Sequence, residues 1–307
     1  MNPIIALIIT NIIWGAASPI FKFSLTNIPP FTLAFIRFFF ASFLFLPFVI
    51  GKWQKLTTRQ WLTIFLGAFF GISINITFFF LGLEKTDSIN APIIASAGPV
   101  FLYFMSVLYL KELLNLKVFF GMLISLGGVL FIILSPIFFE SRRYIFGEVQ
   151  GNIFFVLATF GAVLHPLIYK NLLKKINAYQ VTLIGFLFSS FTFLPFALAE
   201  LKTWSFSQLN IAGVTGIIFG VFFSSALAYF LFVYGLSKIK AQEIGVFTYI
   251  DPIVAVLIAI PLLKEYPNLY FFIGSLLVFG GIFLAEKRIH WHPFQRTRNH
   301  KLLETIE

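Results

Sequence analysis

The feature that most constrains this chain is a series of apolar blocks, each about twenty residues long, separated by short stretches that hold most of the charge. A helix needs roughly 20 mostly apolar residues to cross the hydrocarbon core of a bilayer. On that ruler, spans are predicted near 3–24, 31–50, 61–83, 89–110 and 116–138, then near 148–170, 179–199, 209–236, 242–263 and 269–286. The span near 209–236 is long enough to be tilted or broken. A soluble chain of 307 residues could bury a large core, but it would need polar surface to cover it. Here only 11% of residues are charged, against roughly 25% in soluble domains, and the mean hydropathy is +0.94. Lipid must solvate most of this surface, so the expected fold is an all-α integral membrane protein of ten transmembrane helices.

The net charge of +10 does not point to nucleic acid, because the basic residues form short caps between apolar blocks and no continuous basic face. Positive caps are what membrane orientation requires. With a cytoplasmic N-terminus, fifteen Lys and Arg fall on inside caps and the tail, six on outside caps, and Arg37 inside a span. Both termini are therefore expected in the cytoplasm of a multi-pass protein of the plasma or inner membrane, although Arg142 and Arg143 sit together on the outside. Ala16-Ala17-Ser18 could pass for a signal-peptidase site. It lacks a basic leader and is followed by Pro19, so the segment reads as a retained first span. The chain has no cysteine, which removes disulfides and thiolate metal sites. His290 and His292 in the tail supply two metal ligands, too few for a good site. The basic, Trp291-bearing tail, 287–307, fits a lipid-surface anchor better.

A shift of 153 residues aligns the halves from position 82 onward. Gly82 meets Gly235, Pro99 meets Pro252, and Lys111-Glu112 meets Lys264-Glu265. Asn115 meets Asn268, Gly121 meets Gly274, and Gly127-Gly128 meets Gly280-Gly281. At slightly smaller offsets Pro19 lies near Pro166, and Pro47 lies opposite Pro195. Two repeats are expected, 1–140 and 148–286, of five spans each. An odd span count forces the second repeat to enter the membrane upside down, an architecture in which one half rocks against the other around a midplane site.

With Trp14-Gly15, Arg37-Phe38, Gly98-Pro99, Glu112, Gly121 and Gly127-Gly128 in the first repeat, and Asp251-Pro252, Glu265, Gly274 and Gly280-Gly281 in the second, the chain resembles the EamA family of the drug/metabolite transporter superfamily over about residues 3–286. The second repeat departs from the pattern, with Phe160-Gly161 and Gly185 in place of the Trp-Gly and the Arg. The resemblance implies a ten-helix carrier, commonly an exporter of small metabolites or amino acids, and names no substrate.

Among residues that could bind substrate or protons, Asp251 stands first. It falls about midway along the predicted ninth span, where an ionised carboxylate costs on the order of 3 kcal/mol on insertion scales. A carboxyl there either loads a proton or a substrate amine, or caps backbone freed by Pro252. His165, directly before Pro166, either relays a proton or binds substrate, or hydrogen-bonds a kinked backbone. Asn75, Tyr249, Ser96, Asn11 and Ser18 are further polar candidates, each able to satisfy itself inside a bundle; Asn75 is the best of them, since an amide facing lipid is expensive. Pro19, Gly98, Pro99, Pro166 and Pro252 are candidate helix-break hinges, because proline removes a helix hydrogen bond and membranes tolerate this where the freed carbonyl faces protein or water. Spans one, four, six and nine are expected to line the resulting cavity.

No Walker loop is present, so a gradient or downhill exchange must supply the energy. The expectation is a secondary transporter of a small molecule, with protons as a candidate coupling ion, no cofactor and no metal. The alternatives are a passive channel and an intramembrane enzyme using His165 and Asp251. The enzyme reading has no nucleophile setting or paired intramembrane aspartates to support it and leaves the repeat unexplained.

Overall fold

A computed structural model describes residues 2–98, 101, 116–139, 145–169, 171–238 and 245–286. Among these residues the only regular structure is helical, with no strand. Helices α1 (Pro3–Leu25) and α2 (Pro30–Leu44) are followed by α3 (Thr58–Leu83) and α4 (Asn90–Ser96). Then come α5 (Leu116–Phe139), α6 (Ile145–Tyr169) and α7 (Ala178–Glu200). The helix α8 joins Ile211–Ile218, a π-helical stretch Phe219–Leu227 and Ala228–Lys238, and α9 (Ile250–Leu263) and α10 (Leu269–Glu286) complete the series. Among the described residues six helices are long and apolar enough to cross a membrane, namely α1, α3, α5, α6, α7 and α8, while α2, α9 and α10 are shorter apolar helices. Of the expected fourth span, Asn90–Ser96 is described. Pro99, Glu112, Arg142, Arg143 and the tail 287–307 lie outside the described residues.

Local sequence sets the helix starts. Asn2 caps α1 by accepting from the Ile4 amide at 2.9 Å, and Pro3 at the first helical position has no amide to leave unpaired. Thr57 and Gln60 form a reciprocal capping box at the head of α3. Asn177 and Asn210 cap α7 and α8 through their side-chain oxygens. The start of α2 is capped from a distance: the Glu200 carboxylate at the end of α7 accepts from the Phe31 amide at 3.1 Å, the Thr32 amide at 2.6 Å and the Thr32 hydroxyl at 2.8 Å. A negative charge at a helix N-terminus is well placed. At the other end of α7, in the loop before α3, the Gln54 amide donates to Gln180 Oε1 and Gln180 Nε2 donates to the Gln54 carbonyl. Helix α7 is therefore fastened at both ends, to the head of α2 by Glu200 and to the loop before α3 by Gln180.

The breaks in helical regularity fall in places that proline alone does not mark. Helix α1 runs through Pro19 and α6 runs through Pro166 without ending. The helix α3 instead has a π-helical stretch at Phe69–Ile74, and α8 has one at Phe219–Leu227. Helix α4 ends at Ser96, where Ala97 forms a turn and Gly98 is again helical. Within the described part of the ninth span, a 3-10 segment, Gly245–Tyr249, precedes the α-helix that begins at Ile250. This places Asp251 and Pro252 in the first turn of α9 rather than midway along a continuous helix. Proline is tolerated there because first-turn amides have no intrahelical partner.

Helices α5 and α10 cross in close contact through their glycines. A methyl group added to Gly121 would lie 2.6 Å from the Gly281 carbonyl oxygen, and one added to Gly128 would lie 2.7 Å from that of Gly274. Backbones that touch in this way exclude any side chain, as in small-residue membrane interfaces. Their neighbours Gly127 and Gly280 face open space.

Candidate functional site

Close approach of α9 to α1 builds the site. A Cβ on Gly15 would lie 2.6 Å from the Asp251 carbonyl oxygen and 2.8 Å from its Cα, so only glycine lets the head of α9 rest on α1 at this level. Gly71, in the π-helical stretch of α3, leaves room for the His165 ring of α6 in the same way. Between these contacts lies a cavity of about 280 Å³. A water occupies about 10–15 Å³ on this measure, so the space is ample for a small metabolite.

Seven helices supply its walls. From α1 come Trp14, Ala17, Ser18 and Phe21; from α2, Arg37; from α3, Gly71, Asn75, Ile76 and Phe79. Ala91, Pro92 and Ala95 come from α4, and Phe155, Ala158, Thr159, Ala162 and His165 from α6. Ser224, Tyr229 and Phe232 of α8 and Asp251 of α9 close it. The π-helical stretch in α8 brings two adjacent hydroxyls to one guanidinium. Arg37 Nε donates to Ser225 Oγ at 2.6 Å and Nη2 donates to Ser224 Oγ at 2.9 Å. The guanidinium carbon also sits over the rings of Phe21 at 4.8 Å and Phe38 at 4.7 Å, an arrangement that favours a cation. Arg37 is 3% exposed, and among the described residues no carboxylate stands within ion-pair distance of it.

The expected site residues divide into two groups. Asp251, His165, Asn75 and Ser18 all face the cavity. Asp251 Oδ1 and Ser18 Oγ are buried and have no hydrogen-bond partner among the described residues. A buried polar atom in that condition is costly unless something in the cavity satisfies it. Asn75 Nδ2 donates to the Ala158 carbonyl at 2.7 Å, tying α3 to α6, and His165 lies against Tyr169 with ring centroids 4.5 Å apart. Asn11, Ser96 and Tyr249 are not on the wall. Asn11 Nδ2 donates to the Leu7 carbonyl and Ser96 Oγ to the Pro92 carbonyl, both four residues back on their own helices. Tyr249 meets Phe279 edge to face. Pro19 and Pro252 are buried, and so is Gly98; none of the three reaches the cavity.

Sequence reasoning passed over the wall residues Trp14, Thr159, Ser224 and Tyr229 as binding candidates and gave Arg37 no ligand role. The signal for Arg37 was present, since it is the one basic residue left inside a predicted span. Trp14 donates from Nε1 to the Ser224 carbonyl at 3.2 Å and packs against Tyr229 and Phe232.

At one end of the bundle, charges tie three segments together. Lys22 Nζ lies 2.6 Å from Glu265 Oε1, as an ion pair off the hydrogen-bonding direction, and 3.7 Å from Asp87 Oδ1. It also donates to the Thr86 carbonyl at 2.8 Å. Glu265 Oε2 accepts from the Ser88 amide and hydroxyl. Glu265 is directed inward by Lys264, whose φ of 56° is the left-handed conformation that ends α9.

Comparison with known proteins gives a consistent picture. The model of the EamA-like transporter family matches residues 1–134 and again residues 149–286. An uncharacterized transporter of Bacillus subtilis, YetK, is 28% identical over 93% of this chain and 87% of its own length. An uncharacterized transporter of Archaeoglobus fulgidus is 26% identical over 92% of this chain and 97% of its own. The S-adenosylmethionine uptake transporter of Rickettsia conorii is 24% identical over 91% of this chain and 92% of its own. A solved structure described as "Crystal structure of protein" aligns with a TM-score of 0.61 at 15% identity, covering 94% of this chain and 99% of that one. At that identity it speaks for the fold alone.

Proposed function

Since the chain belongs to the EamA-like transporter family, we propose that it is a secondary carrier that moves a small metabolite by alternating access around the central cavity. The observation that carries this reading is the cavity itself, walled by helices from both family-matched segments and holding a carboxylate oxygen of Asp251 without a partner among the described residues. Polar or ionisable groups at membrane depth mark substrate and ion pathways. A ligand or a proton arriving at Asp251 would satisfy it.

The proposal includes ten spans in two inverted repeats, 1–140 and 148–286, with both termini in the cytoplasm. The glycine crossing supports this. Gly121 meets Gly281 while Gly128 meets Gly274. The offset of 153 that pairs Gly121 with Gly274 also pairs Gly128 with Gly281. Each contact is thus the image of the other, the reciprocity that a two-fold relation produces. The π-helical stretches at Phe69 and Phe219 fall at matching places in the two halves. The ion pair of Lys22 and Glu265 is read as closing the outer end, so that the cavity exchanges with the opposite face in this conformation.

Export is the direction that the family resemblance implies, whereas a relative is named an uptake transporter. The experiment therefore reads both. Metabolites outside and inside cells are compared for wild type, Asp251→Asn and no protein. The reading expects a defined set of compounds to redistribute with wild type and to return to the control level with the variant. Equal redistribution by both would make Asp251 structural, and no difference from control in either compartment would remove the carrier reading.

A further inference from the structure

The end of the bundle opposite the Lys22–Glu265 ion pair carries a basic surface that no described side chain neutralises. Two segments build it, the loop 50–57 that leads into α3 and the loop 171–177 that leads into α7. One residue fastens them together. The Gln54 amide and carbonyl pair with the Gln180 side chain at 2.9 and 2.8 Å, and Gln54 Oε1 accepts from the Asn177 amide at 2.6 Å. The joint gathers Lys52, Lys55 and Arg59 with Lys174 and Lys175 at one end of the molecule, and all five are exposed. The sequence has no acidic residue between 49 and 63 or between 170 and 180. Among the described residues the only ion pairs are those of Lys22.

Apolar side chains adjoin these cations. Trp53 is 52% exposed and Ile50 73%. Trp61, in the first turns of α3, meets Phe188 of α7, and Phe48 meets Tyr179, yet both keep an exposed side. Tryptophan favours the headgroup layer of a bilayer, and lysine and arginine at that level attract anionic lipid. Membrane orientation requires only that such charges lie on one side. It does not require that two loops from the separate family-matched segments, 1–134 and 149–286, be locked together so that their cations share one platform. We propose that this platform binds an anionic phospholipid, its phosphate held between the lysines of the two loops and its acyl chains lying along Ile50 and Phe48. Bound there, the lipid reinforces the joint that Gln54 makes between the halves. The occupant is a bilayer lipid rather than free phosphate, because the flanking apolar side chains fit acyl chains and offer a soluble anion nothing.

Native mass spectrometry of the purified full-length protein tests this, with phosphatidylglycerol and phosphatidylcholine of the same acyl chains as the probes. Wild type is expected to bind the first phosphatidylglycerol about tenfold more tightly than phosphatidylcholine, the scale of one or two lysine contacts at a membrane surface. Lys55→Gln/Lys174→Gln should lose most of that preference. Lys85→Gln/Lys202→Gln, which removes the same charge beyond the far ends of α3 and α7, should keep it. Gln54→Ala removes no charge and should also weaken the preference, because the two loops are then free to part. Equal affinity of wild type for the two lipids overturns the site. Equal loss in both double variants overturns it as well, since the cations would then act as a diffuse orientation signal. An unchanged preference in Gln54→Ala would contradict the part given to the joint. Displacement of phosphatidylglycerol by millimolar inorganic phosphate would assign the platform to a soluble anion and contradict the lipid reading.

Discussion

Lys22 and Glu265 stand 243 positions apart in sequence, yet they make a 2.6 Å ion pair. Removing Lys22 leaves the buried Glu265 with only the Ser88 amide and hydroxyl, and removing Glu265 leaves Lys22 with the more distant Asp87 and the Thr86 carbonyl. Glu265→Gln or Lys22→Met is expected to lower stability by about 2–3 kcal/mol. The double variant should cost less than the two singles together, since the coupling is counted twice in the singles. Thermal unfolding in detergent measures all three; additive losses would show that the pair contributes nothing. From the sequence, Glu265 reads as a helix-end residue neutralised by the lysine beside it. Lys264 instead turns away in a left-handed conformation, and the partner comes from α1. Such long-range partners have no local signature, and the same holds for Ser224 and Ser225 on Arg37. Asp251, Asn75 and Ser18 were legible because a polar side chain within an apolar block is costly wherever it points.

The elements that the sequence places most surely are those whose apolar blocks reach twenty residues, such as α1 and α7. Irregular stretches were not legible. Nothing in Phe69–Ile74 or Phe219–Leu227 distinguishes a π-helical from an α-helical winding by composition, and both carry wall residues into the cavity or lead directly into them. The glycine pairs are a middle case: a spacing of seven puts Gly121 with Gly128 on one helix face, and the facing partner follows from the repeat. Gly128→Ala is expected to destabilise by roughly 1–3 kcal/mol, since its methyl would meet the Gly274 carbonyl oxygen. Gly127→Ala has open space and should be neutral or slightly stabilising, as alanine is the better helix former. Melting temperatures of the two variants decide this, and equal effects would contradict the crossing. Lys264→Gly should hold or raise the melting temperature, because a left-handed backbone costs a side-chain-bearing residue about 1–2 kcal/mol; a clear loss would mean that the lysine side chain does more than end the helix.

For the whole molecule, the account is that two inverted halves expose one cavity to one face at a time. The states are mutually exclusive, so whatever weakens closure at one end must raise the population open there and lower the population open at the other. The chain has no cysteine, so a single one reports cleanly. Thr159 lines the cavity and, among the described residues, its hydroxyl bonds back to the Phe155 carbonyl of its own helix, which makes Thr159→Cys a mild change. The most direct measurement is the reaction rate of that cysteine with a membrane-impermeant thiol reagent, applied from each face in turn, with and without Glu265→Gln. The account predicts that breaking the ion pair speeds labelling from the face that carries Lys22 and slows it from the opposite face. Rates that rise together from both faces would describe a channel, and labelling confined to one face in both proteins would contradict alternating access.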